Sequence, residues 1–274
     1  LSTVGCFTLG ATVGAVVAIA GHPYLSIDAA MGAGIASGFI TAIRQTKMGI
    51  NSLLAGIIVN TGLYSINIAV MSGSSILNMN KTDTVFTKMA ALLKGTPVAR
   101  QSKLFVAIIA VAAVAVILGL FLKTRLGLAI RATGDNPDMV RSSSVNPAFT
   151  TIIGLCVANS FTALSGCLLA QSQRSVNIDI GTGMVTIALA SLLIGGVFLG
   201  RKKMPLRIFG MVLGAFIFRL IYTIALRFDM PAFMLKFVSS VIVIAAIATP
   251  YFKKQLPLLK RRIQTRSGRR KADA

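Results

Sequence analysis

Hydrophobic residues occur along this chain in long blocks separated by shorter polar stretches. Each block is close to the length of about 20 residues that a helix needs to cross a bilayer. Inside lipid every backbone polar group must be paired within the chain, so helices are the expected structure. The pattern predicts an all-α, polytopic transmembrane helical bundle with about eight visible spans. The blocks cover 4–21, 27–43, 50–72, 104–122, 149–170, 183–199, 206–226 and 232–249.

The composition agrees with a membrane protein. Hydrophobic residues make up 55% of the 274 residues, and the mean hydropathy is +0.79, which is unlike a soluble domain. Twenty-eight basic residues stand against seven acidic ones, all of them Asp, for a net charge of +21. In a soluble protein this excess would indicate nucleic-acid binding. Here the basic residues lie between apolar blocks and in the tail, so we expect a lipid membrane and no nucleic-acid partner.

The basic residues also predict the orientation of the spans. The stretches 44–49, 123–148, 200–207 and 250–274 together hold 19 basic residues, whereas the alternate stretches hold seven. By the positive-inside rule the richer side is cytoplasmic. The segments 73–103 and 171–182 are then external.

The domain organisation follows from these blocks. Residues 1–252 are predicted to form one transmembrane domain with a cytoplasmic loop at 123–148, and 253–274 a basic cytoplasmic tail near anionic headgroups. The chain opens "LSTVGCF", without Met or a basic leader. We therefore expect an N-terminal part, with at least one further segment, to precede it.

Enzymatic chemistry finds little support in the sequence. The chain has a single His, and its three Cys lie inside apolar blocks. Their spacing matches no metal-ligand motif, so neither a metal site nor a cofactor is expected. No GxxxxGK[ST] run is present, which excludes a P-loop ATPase. Ser, His and Asp form no recognisable triad, and we expect no catalysis.

The polar stretch 123–148 has the features of a helical hairpin on the membrane face. Residues 126–133 are predicted to continue a helix that Gly134 then breaks. Asp135 or Asn136 is placed to cap a second short helix, with Pro137 in its first turn, where the missing N–H does no harm. Asn146-Pro147 is predicted to close that helix.

This stretch, "LGLAIRATGDNPDMVRSSSVN", resembles the cytoplasmic coupling loop of ABC importer permeases of the branched-chain amino acid/ribose type. The runs 46–73, 180–196 and 218–240 resemble the branch of that family assigned to tryptophan or tyrosine, so nearly the whole chain is covered. Val4 and Gly196 stand where the family usually has acidic residues. The residues that match the loop motif are Gly127, Arg131, Ala132, Thr133, Gly134, Asn136, Pro137, Met139, Arg141 and Asn146.

The resemblance implies a multi-pass permease of the bacterial inner (plasma) membrane that works as a homodimer. Its partners would be a cytoplasmic ABC ATPase and an extracytoplasmic solute-binding protein, which would meet the external segments. Met139 and Val140 are expected to be exposed and to fill a groove of the ATPase, while Arg131 and Arg141 pair with its acidic rim. The alternative is an ordinary solvated loop. The expected coupling residues are Arg131, Ala132, Thr133, Gly134, Asp135, Asn136, Pro137, Met139, Val140 and Arg141.

Polar residues within the apolar blocks are candidates for a translocation pathway, because such side chains tend to face a cavity. Asn60, Tyr64 and Asn67 have helical spacing and are expected on one face. The candidates outside that block are Asn159, Ser160 and Arg219. Equally, the amides and hydroxyls could form hydrogen bonds between helices. Arg219 could snorkel or pair with Asp28 or Asp179, which are predicted near the external side.

The substrate class stays open at this point. Amino acids, aromatic or branched-chain, agree best with the resemblance, and a simple sugar or a nucleoside is the alternative. An ion-coupled secondary transporter is disfavoured, because that class places acidic relays mid-membrane and this chain has no Glu.

Overall fold

A computed structural model of the chain describes residues 2–80, 82–92, 102–199 and 204–227, together with isolated positions between 237 and 244. The described part consists of α-helices with two three-residue strands. The helices are α1 (Ser2–Ile19), α2 (Leu25–Lys47), α3 (Ser52–Val70), α4 (Val85–Leu92), α5 (Ser102–Phe121), α6 (Arg125–Asp135), α7 (Pro137–Ser142), α8 (Pro147–Gln173), α9 (Met184–Leu199) and α10 (Met204–Arg227). The strands are β1 (Ile76–Asn78) and β2 (Ser175–Asn177), and a 3-10 turn, Ile178–Gly181, follows β2.

Seven apolar segments of the described chain are long enough to cross a membrane, and they coincide with the first seven predicted blocks. Six of them correspond to the helices α1, α2, α3, α5, α8 and α10. The seventh, Ile178–Gly196, comprises the 3-10 turn and most of α9. The predicted class, an all-α polytopic bundle, is confirmed. The predicted eighth span, 232–249, and the basic tail lie outside the described residues.

The first compact unit, residues 1–185, is built around α1. α1 packs against α2, α3 and α8, and most of its side chains are buried. Close approach depends on glycine, because a Cβ at Gly34 of α2 would lie 2.6 Å from the Asn159 carbonyl oxygen of α8. A Cβ at Gly38 would likewise lie 2.6 Å from the Leu155 carbonyl oxygen. Gly10 of α1 lies against the backbone of Ala163. Two of the three glycines in the run "GAGIASG" (32–38) thus make close contacts with α8, whereas Gly32 has open space around it.

The segments predicted to be external meet at one end of this unit. β1 and β2 pair antiparallel, with Leu77 opposite Val176. Val176 and Ile178 pack with Met71, Met79 and the alanines of the C-terminal half of α1. The charge count placed 73–103 and 171–182 on one side, and the strand pairing joins residues 76–78 of the first segment to residues 175–177 of the second.

The second compact unit, from residue 186 onwards, contains most of α9 and all of α10. Gly195 lies against the backbone of Gly210, and Gly214 against that of Ser191. Phe218 fills the space between the helices and packs with Ala190 and Ile194. Small residues therefore bring this helix pair together, as in the first unit.

Candidate functional site

The polar stretch between α5 and α8 forms the two helices α6 and α7. The hydroxyl of Thr124 caps α6 by accepting a hydrogen bond from Gly127 N at 3.2 Å. α6 continues to Asp135, so the prediction that Gly134 breaks this helix was wrong. A glycine inside a helix costs only about 1 kcal/mol, which the rest of the helix outweighs. The break comes at Asn136, because the following proline disfavours the helical region there, and its φ is −156° and ψ 102°.

Asn136 then starts α7. Its side-chain oxygen accepts hydrogen bonds from the backbone N–H groups of Asp138 and Met139, both at 3.1 Å. Pro137 occupies the first turn, as predicted. Of the two predicted caps, Asn136 is confirmed, whereas Asp135 is the last residue of α6.

The expectation of two exposed apolar side chains on α7 holds for only one of them. Met139 is 61% exposed, whereas Val140 is 4% exposed. α7 packs against both α6 and α8, so the side of α7 that carries Val140 is covered. The prediction that Val140 is exposed was therefore wrong.

Hydroxyl groups tie α6 to the start of α8. The hydroxyls of Thr133 and Thr150 lie 2.8 Å apart, and Thr150 is buried. Asn146 caps α8 by accepting a hydrogen bond from Ala148 N at 2.9 Å, so the Asn146-Pro147 pair begins α8. The prediction that this pair closes α7 was wrong, because α7 ends at Ser142 and Ser143 is its C-cap. The sequence did not indicate the structural role of Thr150 or the burial of Val140. The cap at Asn136 was predicted because it is local in sequence, whereas these two features depend on the tertiary fold.

An open cleft of about 580 Å³ is bordered by α6 and α7 and by the adjoining ends of α2 and α8. Arg131, Asp135 and Arg141 are exposed, and Ala132 is half-buried. The cleft is lined by Gln45, Thr46, Ile130, Thr133, Gly134, Pro137, Arg141, Pro147, Ala148, Thr150, Thr151, Gly154 and Leu155. The coupling candidates therefore form a hairpin that is attached along one side and open on the other.

The three pathway candidates of α3 differ in their burial. Asn67 is buried, and its side-chain N–H donates to the carbonyl oxygen of Gly5 in α1 at 3.3 Å. Asn60 is half-buried and also faces Gly5. Tyr64, in contrast, is 50% exposed. Asn67 thus links two helices, and the exposed part of the predicted face is at Tyr64.

Asn159 and Ser160 are buried where α8 crosses α2. The Cys6 thiol donates to the Asn159 carbonyl oxygen at 3.3 Å. The Asn159 side-chain nitrogen and the Ser37 hydroxyl are buried without a hydrogen-bond partner in the described structure. Both α8 candidates therefore lie inside the helix packing of the first unit.

Arg219 lies in α10, where it is exposed and its guanidinium is 5.7 Å from the centre of the Tyr222 ring. This is a cation–π contact. Asp28 and Asp179 belong to the other compact unit. Asp28 is in the first turn of α2, as expected for the external end. Asp179 was also predicted near the external side, but it lies away from that end of the unit. The 3-10 turn that carries it packs against α1 beside Thr8.

These observations define a class of protein: a polytopic helical membrane permease with a capped helical hairpin between two of its spans. Comparison with known families agrees. The chain belongs to the family described as the permease component of the branched-chain amino acid transport system, whose model matches residues 1–247. It is a multi-pass protein of the cell membrane.

Similar proteins transport different solutes. A tyrosine transport system permease protein of Clostridioides difficile (strain R20291) is 30% identical over 91% of this chain and 81% of its own length. The ribose import permease protein RbsC of Escherichia coli (strain K12) is 26% identical over 76% of this chain and 63% of its own length. An autoinducer 2 import system permease protein, LsrC, of E. coli O9:H4 (strain HS) is 28% identical over 47% of this chain and 37% of its own length. No solved structure shows significant similarity.

Proposed function

We propose that this chain is the membrane-spanning subunit of an ATP-driven ABC importer for amino acids. It has no catalytic role of its own and works as a homodimer with a cytoplasmic ATPase and an extracytoplasmic solute-binding protein. The observation that carries the proposal is the α6–α7 hairpin: a rigid, doubly capped helical element on the basic side of a permease, with Met139 exposed.

The amino-acid substrate rests on the pattern of similarity. The tyrosine permease covers more of this chain, at higher identity, than the ribose permease does. An aromatic or branched-chain amino acid is therefore favoured over a simple sugar or nucleoside. An ion-coupled mechanism has no support from the family, whose description is that of a transport-system permease component.

The hairpin is suited to transmit movement of an ATPase to the membrane helices. A movement of α7 would reach the membrane helices through the packing of α7 against α6 and α8 and through the contact between Thr133 and Thr150. Met139 is placed to enter an apolar groove of the partner, and Arg131 and Arg141 are available to pair with acidic residues around it.

The opposite end of the same unit is the proposed contact surface of the solute-binding protein. It presents the β1–β2 pair, whose Ile76 is 53% exposed, and the adjacent helix α4. Between the two ends we assign Asn60 and Tyr64 to the translocation pathway, and Asn67, Asn159 and Ser160 to the contacts between the helices. Arg219 stays a candidate for a contact with the solute in the second unit.

The ATPase contact is tested by Met139→Asp. Placing a charge in an apolar groove should weaken binding by several kcal/mol, so the variant should insert into the membrane but fail to co-purify with the ATPase. Ser143→Asp is the matched control, because it adds the same charge at an exposed polar position of the same segment. Wild-type co-purification of Met139→Asp would contradict the assignment. Val140→Asp is unsuitable, because it would also disrupt the hairpin.

A further inference from the structure

The helices α1 and α8 fix the depth of neighbouring residues in the first unit. They run side by side in the same direction, with Cys6 beside Asn159 and Gly14 beside Cys167. α8 extends from Pro147 to Gln173, so its middle residue is Ser160. With the same rise per residue in both helices, Thr8 of α1 is level with the centre of α8.

The chain after β2 descends to this depth without forming an α-helix. Ile178 is the first residue of the 3-10 turn, and its carbonyl oxygen lies 3.5 Å from the Thr8 hydroxyl. At the end of the turn, a Cβ at Gly181 would lie 2.5 Å from the Val4 carbonyl oxygen, so the backbone reaches α1 only because this residue is glycine. Non-helical backbone at membrane depth is tolerated only where protein encloses it or where it borders a water-filled cavity.

Asp179 is carried by this turn, between the positions of Thr8 and Val4. Its backbone is held by two hydrogen bonds, from Asp179 N to the Asn177 side chain at 3.0 Å and from Thr182 N to the Asp179 carbonyl oxygen at 2.9 Å. The side chain itself is exposed. A carboxylate at mid-membrane depth is costly in lipid and is expected to face a polar cavity or a functional partner.

A polar stripe on α3 adjoins the turn. Ile68 of α3 packs into the same cluster as Ile178 and Ile180, and Tyr64 lies one helical turn away from Ile68 on the same face. Thr61 and Ser65 are exposed beside Tyr64. Side chains tilt toward the N-terminus of their helix, so the Tyr64 hydroxyl is directed toward the middle of α3 rather than toward its nearer end at Val70.

We propose that Asp179 faces the translocation pathway and binds the ammonium group of an amino-acid solute in transit. The α3 stripe of Thr61, Tyr64 and Ser65 lines the same pathway with uncharged hydrogen-bonding groups. The carboxylate supplies a charge of the sign that an amino acid's ammonium group requires, whereas a sugar presents no such cation. This inference rests on the proposed function and assigns a site within it.

The first test compares Asp179→Asn with Asp28→Asn in the complete importer. Both aspartates are exposed, but Asp28 is in the first turn of α2 at the end of the bundle. Uptake of labelled L-tyrosine is measured beside ATP hydrolysis stimulated by the binding protein. Losing a hydrogen bond to a charged group should lower uptake by Asp179→Asn about tenfold or more, with ATP hydrolysis and membrane abundance unchanged. Asp28→Asn should behave as wild type.

Equal uptake by the two variants would overturn the inference. Parallel loss of uptake and of ATP hydrolysis in Asp179→Asn would also overturn it, because that result indicates a structural role. Asp179→Glu, which keeps the charge, should recover part of the uptake.

The second test measures access of water to these positions. In a background with Cys6, Cys156 and Cys167 replaced by Ala, Asp179→Cys and Tyr64→Cys are treated with a membrane-impermeant cationic thiosulfonate from both sides of the membrane. Ile66→Cys is the control, because Ile66 is 48% exposed but lies on the other side of α3. Thiolates form in water and not in lipid, so both test positions should react and Ile66→Cys should not.

The outcomes separate this inference from the proposed function. If Tyr64→Cys and Asp179→Cys resist the reagent from both sides, or form a disulfide between two copies of the chain, the pathway assignment is wrong while the importer assignment stands. If the wild-type complex imports ribose and no amino acid, the ammonium site is wrong together with the proposed substrate. If the chain does not associate with an ATPase, the proposed function itself fails.

Discussion

The direction change between α6 and α7 is produced by two adjacent residues. Pro137 keeps Asn136 out of the helical region, which ends α6, and the Asn136 side chain then satisfies the first N–H groups of α7. Gly134, which the sequence analysis made responsible for the break, lies inside α6. The same segment shows how burial decides a residue's role, because adjacent Met139 and Val140 have the same apolar character but opposite exposure.

The two glycines of α6 give a prediction at this scale. A Cβ at Gly134 would meet no atom within 4 Å, whereas a Cβ at Gly127 would collide with the backbone of Phe121 and Leu122. Gly134→Ala should therefore raise the free energy of unfolding by about 0.5–1 kcal/mol. Gly127→Ala should lower the thermal stability of the purified protein. The result to look for is a difference in melting temperature between the variants. If Gly134→Ala is instead the destabilised one, α6 does not continue through residue 134.

At the scale of elements, glycine contacts hold the membrane helices together. Lipid provides no hydrophobic driving force between helices, so close backbone packing has to supply the attraction. α1 is the central element, because α2, α3 and α8 all pack against it. The polar residues Asn67 and Thr12 sit inside this packing, with the Thr12 hydroxyl 3.5 Å from the Asn67 side-chain oxygen.

Gly32 and Gly34 of α2 test this packing as a matched pair. Gly34→Ala would push a methyl group against Asn159 and Ala163, whereas Gly32→Ala enters open space. We expect Gly34→Ala to reduce the melting temperature in detergent and the amount of protein in the membrane. Gly32→Ala should change neither. Equal behaviour of the two variants would show that α2 and α8 do not cross at Gly34.

The sequence predicted the elements better than the contacts between them. Seven spans could be located because hydrophobicity over about 20 residues is a local property. The cap at Asn136 was also predicted, since a cap and its helix are adjacent in the chain. Asn146 was predicted only to close α7, whereas it caps α8. The burial of Val140 and the depth of Asp179 could not be read, because each depends on residues distant in sequence, such as Thr8 for the turn that carries Asp179.

At the scale of the whole molecule, the first unit has two ends of different character. The α6–α7 hairpin and the last turn of α2, with Arg44 and Lys47, lie at one end. The β1–β2 pair lies at the other. By the positive-inside rule, the excess of positive charge at the hairpin end predicts that this end is cytoplasmic. The proposed importer function requires this polarity, because ATP would be hydrolysed on one side and the solute delivered on the other.

The central claim, ATP-driven import of an amino acid, is tested most directly by transport into proteoliposomes. The permease is reconstituted with its ATPase, ATP is enclosed in the vesicles, and the solute-binding protein is added outside with labelled L-tyrosine or labelled ribose. We predict accumulation of tyrosine that requires both enclosed ATP and the binding protein and that Met139→Asp abolishes. Tyrosine accumulation that proceeds without ATP, or ATP-dependent accumulation of ribose alone, would contradict the account.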